Sequence, residues 1–347
     1  MMPEPPKQRP SPIESLFVAL LVALLLFTAV LVIASFPVGI YTIFFTTLSN
    51  QFSAASVVQG VYIFIGPVEA VLPLPGSMGG FFIGLSVVYA AMIALAARQG
   101  RGMLSAVKAS FSEGVGALFS NTFFATLFSI GFLAFTILVI DSVETSGGIP
   151  IGGLSGDAMQ LFMSLTIAPL REELGFRMIM VGIPALALCL GRSWTQALKS
   201  LWRPSAAYEG DVNATYSQAI IALAAAVSSI SFGAVHVLSG AGWEIGKLPE
   251  AAFAGAVLCY VYIKYGFHVA VLTHWGIDYL DSVYAFFGQG AYGISWTANN
   301  AYVLQNVVAF DIVALLGVAS FLAVCYLGLK KWFGRSERVA APVVGQP

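Results

Sequence analysis

Charge is what this chain has least of. Only 10% of its 347 residues are Asp, Glu, Lys or Arg, against about 25% in a soluble globular domain. A water-facing surface cannot be built from so few charges, which excludes the soluble classes. An excess of either sign is missing too, with 16 basic and 17 acidic residues and a formal net charge of −1. No basic face is available for a phosphate backbone, so nucleic acid is not an expected partner. Cysteine is scarce: Cys189, Cys259 and Cys325 all lie in apolar stretches, and an odd number so placed excludes a disulfide framework. There are three histidines, His236, His268 and His274, and no His-Glu-x-x-His pair. No internal repeat is visible.

What is present is apolar length. Hydrophobic residues make up 58% of the chain, and the mean hydropathy is +0.86. The apolar runs are too long and too many for a soluble core, so the expected class is an all-α, polytopic integral membrane protein in the lipid bilayer. About eight spans are expected, near 14–36, 78–98, 111–140, 157–190, 215–240, 249–265, 267–288 and 301–330. Region 37–77 is apolar but interrupted by Pro67, Pro73 and Pro75, and reads as a re-entrant or interfacial piece. Residues 192–216 read as the one sizeable polar loop, and 284–297 as an aromatic-rich interfacial loop. Lys7, Arg9, Arg98, Arg101, Lys108 and Arg192 fall on one side of this arrangement, with Lys199, Arg203, Lys264, Lys330 and Lys331. By the positive-inside rule that side, with both termini, is cytoplasmic, in a cell membrane. The chain divides into a Pro-rich disordered terminus (1–12), N-terminal helices (13–150), a core (151–290), and a last helix with a basic tail (291–347).

Against this background the stretch IAPLREELGFRMIM, residues 167–180, is anomalous. It places Arg171, Glu172, Glu173 and Arg177 inside an apolar segment. Each charge near a bilayer centre costs roughly 2.5–3.5 kcal/mol, so four facing lipid would cost on the order of 10 kcal/mol. They must pair or face a wet cavity. Glu173 and Arg177 are i,i+4 and share a helix face. Glu172 points elsewhere and has no partner within the motif. Pro169 is expected to break the helix and start a new one, which would put Glu172 in a first turn, where the dipole favours an anion. Elsewhere, SFGAVHVLSG sets Phe232 and His236 one turn apart, and LTHWGIDYL sets His274 and Asp278 at i,i+4. A single histidine in an apolar helix is more often a packing residue than a catalyst. Two of three histidines joining a Glu pair and an Asp supply the parts for general-base hydrolysis. A charge cluster that only pins helices together is the competing reading. By residue counting, His236 lies at the far end of its span and His274 about eight residues in from the cytoplasmic side. A bent or late-starting fifth span would bring them to one depth.

Glu-Glu-x-x-x-Arg, then Phe-x-x-x-His, then His-x-x-x-Asp, in order on separate apolar segments, resembles the CPBP family of intramembrane proteases. These process CAAX sequences and bacteriocins, and include the type II CAAX prenyl endopeptidases. The resemblance covers about residues 157–288. It implies an intramembrane active-site cavity in which Glu172 and His236 activate a water for attack on a peptide carbonyl. His274 and residue 278 would stabilise the oxyanion, and Glu173, Arg177 and Phe232 would hold the geometry. Family members that process CAAX sequences usually have Asn where this chain has Asp278. No cofactor is expected, since a zinc site would have to be assembled from His236, His274 and carboxylates on three spans. The implied substrate is a peptide or a prenylated protein entering from the membrane or its cytoplasmic face. Two other classes compete: a transporter or channel-like protein, against which the missing inverted repeat speaks, and a catalytically idle immunity or scaffold protein. His268 and Lys264 are expected to snorkel to the interface, and Glu244 and Glu250 to sit in a solvated loop.

Overall fold

A computed structural model describes residues 10–49, 60–73, 76–210, 213–297 and 304–340. Lys7, Arg9 and most of the Pro-rich terminus, and the last seven residues of the tail, lie outside them. Helix α1 (Pro12–Phe45) starts where the Ser11 side chain accepts the Glu14 N–H and Pro12 takes the first position, where a missing N–H has no consequence. Two short strands follow, β1 (Val61–Ile65) and β2 (Val68–Leu72). Then come α2 (Met78–Arg98), α3 (Met103–Glu113) and α4 (Thr122–Ser146). Asn121 caps α4 by accepting from two backbone N–H groups. Helix α5 (Ala158–Glu173) runs without a break into a π-helical stretch, Leu174–Gly182, and then α6 (Ile183–Ala187). Helices α7 (Trp194–Trp202), α8 (Ala214–Leu238) and α9 (Lys247–Tyr265) come next. Helix α10 (Phe267–Trp275) passes through π-helical Gly276–Leu280 into α11 (Asp281–Tyr292), and α12 (Leu304–Ala340) ends the described chain.

Among the described residues, five helices are long and apolar enough to cross a membrane: Pro12–Phe45, Met78–Arg98, Thr122–Ser146, Ala214–Leu238 and Asn306–Trp332. The protein is therefore a multi-pass membrane protein, and almost wholly helical. The other three expected spans are helical where they were expected, at α5–α6, α9 and α10–α11, two of them carrying a π-helical stretch.

Several expectations need correction. A single two-stranded antiparallel hairpin, residues 61–72, accompanies the helices among the described residues. Ile65 pairs with Val68, so Gly66 and Pro67 make a two-residue loop; Gly66 has φ +60°, the left-handed region glycine enters freely. The third span begins at Thr122 rather than near 111, because Gly114, at φ 90°, separates it from α3. The 192–216 region contains α7, and residues 284–292 belong to α11 rather than a loop. Pro169 sits inside α5 without ending it.

The elements alternate between two ends of the bundle. At the first end, Lys330 approaches Glu14 at 3.9 Å and Gln99 donates to the Tyr265 carbonyl at 3.3 Å. At the second, the Thr47 hydroxyl donates to Gly290 and the Gly153 N–H to Gly242, both at 3.0 Å. Every residue of α10 is buried, so this helix sits at the centre. Gly266 before it is buried as well, and His268 in its first turn stacks on Trp202 at 5.7 Å. His268 therefore does not snorkel, and Glu250 is likewise buried, paired with Lys247 rather than solvated.

Candidate active site

Four chain segments converge on one cavity of ≈ 620 Å³. Glu172 comes from the end of α5, His236 from the last turn of α8, His274 from α10 and Asp278 from the π-helical stretch that follows it; all four line the cavity. The two histidines line one cavity although α8 begins at Ala214 and not later. Gly266 and Phe267 lie beneath Trp202 inside the bundle, so α10 starts below the surface and His274 is deeper than its place in the sequence suggests.

Small residues bring α8 and α9 together. A Cβ on Gly233 would collide with the Leu248 carbonyl, and one on Gly255 would press on Ser229 at 3.0 Å. Close backbone approach of this kind is how helices associate where apolar surface alone gives no drive. It holds His236 at a fixed height beside Glu172. On the other wall, Gly175 lets the hairpin touch the π-helical stretch, since a Cβ there would overlap Phe64. Phe64 then packs on Phe176 at 5.6 Å, and Arg171 lies over its ring at 5.5 Å. The Phe176 carbonyl, in the wide turn, accepts the Ser228 hydroxyl at 2.6 Å, so this buried polar atom is satisfied.

The two carboxylates are in different situations. Glu173 and Arg177 are both fully buried, with Nε 3.1 Å from Oε2. The guanidinium lies 4.3 Å above the Phe232 ring, and His274 Nδ1 lies 2.9 Å from Glu173 Oε1. Glu173 is thus committed on both oxygens. Glu172 is held more loosely, 3.8 Å from His274 Nε2 and 3.9 Å from Arg171, and faces the cavity. Its partner Arg171 had no role in the sequence reading. Pro169 does not place Glu172 at a helix start, because the helix continues past it; the positive groups near Glu172 are side chains instead.

Hydrogen-bond partners fix both histidines. His236 Nδ1 lies 2.8 Å from the Phe232 carbonyl. A carbonyl only accepts, so Nδ1 carries the proton and Nε2 is left with a lone pair. His274 Nδ1 donates to Glu173, which turns its Nε2 toward Glu172 and toward Asp278 at 3.5 Å. Phe232 contacts both rings, at 4.6 Å and 5.7 Å, so one aromatic side chain supports both histidines and the buried arginine. Among the described residues, no three His, Cys, Asp or Glu side chains converge as a metal site needs.

Residues 154–280 match a family model described as type II CAAX prenyl endopeptidase Rce1-like. The match spans Arg171, Glu172, Glu173, Arg177, Phe232, His236, His274 and Asp278, the residues on which the resemblance to CPBP proteases rests. No curated protein and no solved structure matches the chain.

Proposed function

We propose that this Rce1-like chain is an intramembrane endopeptidase that hydrolyses a peptide bond with a water activated by Glu172 and His236. The observation that carries the reading is the division of labour between adjacent carboxylates. Glu173 is consumed by Arg177 and His274, while Glu172 stands in the cavity with no contact closer than 3.8 Å in its ion pairs. A water between Glu172 and His236 would give up its proton to the carboxylate or to the lone pair on His236 Nε2. The hydroxide attacks the carbonyl carbon, and the developing oxyanion lies toward His274 Nε2, beside which Asp278 stands at 3.5 Å. Donation from His274 Nε2 requires the ring to be protonated on both nitrogens; Glu173, Glu172 and Asp278, all within 3.8 Å, supply the counter-charge of such a cation. The protonated base then delivers its proton to the leaving amine.

The assignment of roles is our reading, supported by the match over residues 154–280 and by the convergence of the four side chains. The same reading takes α5–α6, α9 and α10–α11 as crossings, giving eight with both ends on one side. The deciding experiment uses detergent-solubilised full-length protein with quenched farnesylated and unmodified peptides. Cleavage that Glu172→Gln abolishes is expected. Cleavage by that variant at the parent rate would sink the proposal and return the transporter-like and idle-scaffold readings.

A further inference from the structure

The two ends of the bundle differ sharply in charge, and the cavity belongs to one of them. Leu154, Leu238, Ser239, Ala241 and Trp243 line it together with Glu69 of the hairpin, and all lie in the connections of the second end. The described parts of those connections, residues 46–49, 60–73, 76–77, 141–160, 237–250 and 288–297, contain a single basic residue, Lys247. The first end carries Arg98, Arg101, Lys108, Arg192, Lys199 and Arg203 in its connections. Lys264 closes α9 there, and Lys330 and Lys331 lie on the part of α12 that reaches the same end. Arg171 and Arg177 belong to the site itself. The bias sits in short connections next to helix ends, where Lys and Arg decide orientation and acidic residues contribute little. The first end is also closed over the site: α10 is buried throughout, and Trp202 covers Phe267 and His268.

We propose that the catalytic cavity opens on the non-cytoplasmic side of the membrane. Its substrate is then a peptide or protein segment presented on that side, not a prenylated C-terminus held at the cytosolic surface. The substrate half of this statement rests on the endopeptidase reading above; the side on which the cavity opens does not. Entry from the cytoplasmic face, one of the two routes expected from the sequence, would need a path past Trp202 and the wholly buried α10. The acidic character of the open end, with Glu69, Asp157 and Glu244 against Lys247, favours neutral or basic segments over acidic ones.

The test is cysteine accessibility in the full-length protein. Cys189 and Cys259 are buried and stay; Cys325, exposed on α12, is first replaced by Ser. Single cysteines are introduced by Ser155→Cys and Ser239→Cys at the cavity end, and by Ser112→Cys and Thr195→Cys at the basic end, all at exposed positions. Spheroplasts of a bacterial host are treated with a membrane-impermeant maleimide before and after permeabilisation. Two positions at each end guard against one misfolded variant, and detergent-solubilised protein shows which thiols are reactive at all. At least tenfold more labelling of the Ser155→Cys and Ser239→Cys variants than of the other two in intact spheroplasts is expected, with the difference lost on permeabilisation. Labelling of the basic-end variants from outside, with the cavity-end variants silent until permeabilisation, would overturn the inference. Labelling reports side and not turnover, so failure of the protease reading, shown by an unaffected Glu172→Gln enzyme, stays a separate result.

Discussion

His274 Nδ1 lies 2.9 Å from Glu173 Oε1, and this contact ties the cavity to the buried ion pair behind it. Glu173 and Arg177 neutralise each other with no exposure. Removing one partner leaves an uncompensated buried charge, at a cost of roughly 3–5 kcal/mol. Arg177→Ala and Glu173→Ala are therefore both expected to lower expression and thermal unfolding temperature in detergent. Glu173→Gln should behave differently in one respect: its amide oxygen still accepts from His274, so activity per folded molecule is better preserved than stability. A stable, well-expressed Arg177→Ala protein would remove the structural role assigned here.

Glu172 should show the opposite pattern. Its neighbours are 3.8 and 3.9 Å away, so little stability depends on it. Glu172→Gln is expected to unfold within about 1 kcal/mol of the parent, the scale of one ordinary hydrogen bond. Its cleavage rate should fall by about 10²–10⁴-fold, the usual contribution of a general base. Parallel thermal unfolding and peptide cleavage on one preparation check both halves.

At position 278 the side chain lies 3.5 Å from His274 Nε2. An amide can make a similar contact through its carbonyl or its NH₂. Asp278→Asn should stay within about tenfold of the parent, roughly 1.4 kcal/mol. Asp278→Ala should lose on the order of a hundredfold, because His274, the donor to the oxyanion, loses the group that holds it in place. Initial rates on one peptide decide it: if Asn is as inactive as Ala, the hydrogen-bonding account of Asp278 is wrong.

Zinc chemistry makes a separate forecast. With His236 and His274 acting as proton acceptor and donor, protein purified without added metal should hold well under one zinc per chain and keep its activity in strong chelators. Stoichiometric zinc, with activity lost on chelation and restored by zinc, would convert both histidines into ligands.

Much of the site was legible because charge inside a hydrophobic segment is expensive and so rarely accidental. Glu172, Glu173, Arg177, His236, His274 and Asp278 all announced themselves in this way, and the structure gathers them. The i,i+4 spacing of Glu173 and Arg177 was enough to foresee their pairing. Legibility failed where tertiary context decides. VYIFI and VEAVL are short β-branched and aromatic runs around Gly66-Pro67, a hairpin signal that Pro67, Pro73 and Pro75 obscured. His268 and Glu250 read as surface residues because their partners come from distant parts of the chain: Trp202 stacks on His268, and Asp141 of α4 meets Glu250. Pro169 suggested a break, yet a proline removes only one hydrogen bond, and the helix around it is held by its neighbours.

The wide turns at Leu174–Gly182 and Gly276–Leu280 make chain length, as well as residue identity, part of the design. A π-helical turn holds one residue more than an α-helical turn, so losing one residue from Gly276–Leu280 would close the wide turn and displace the residues inside it. Asp278 would then leave its place 3.5 Å from His274 Nε2, while Tyr284 keeps its hold on the Leu31 carbonyl at 2.8 Å and α11 its seat on α1. Substitutions that keep volume in this turn should be absorbed, whereas a single-residue deletion should disarm the cavity and leave the bundle standing. Related chains that drift by replacement can keep the site; chains that drift by deletion there cannot.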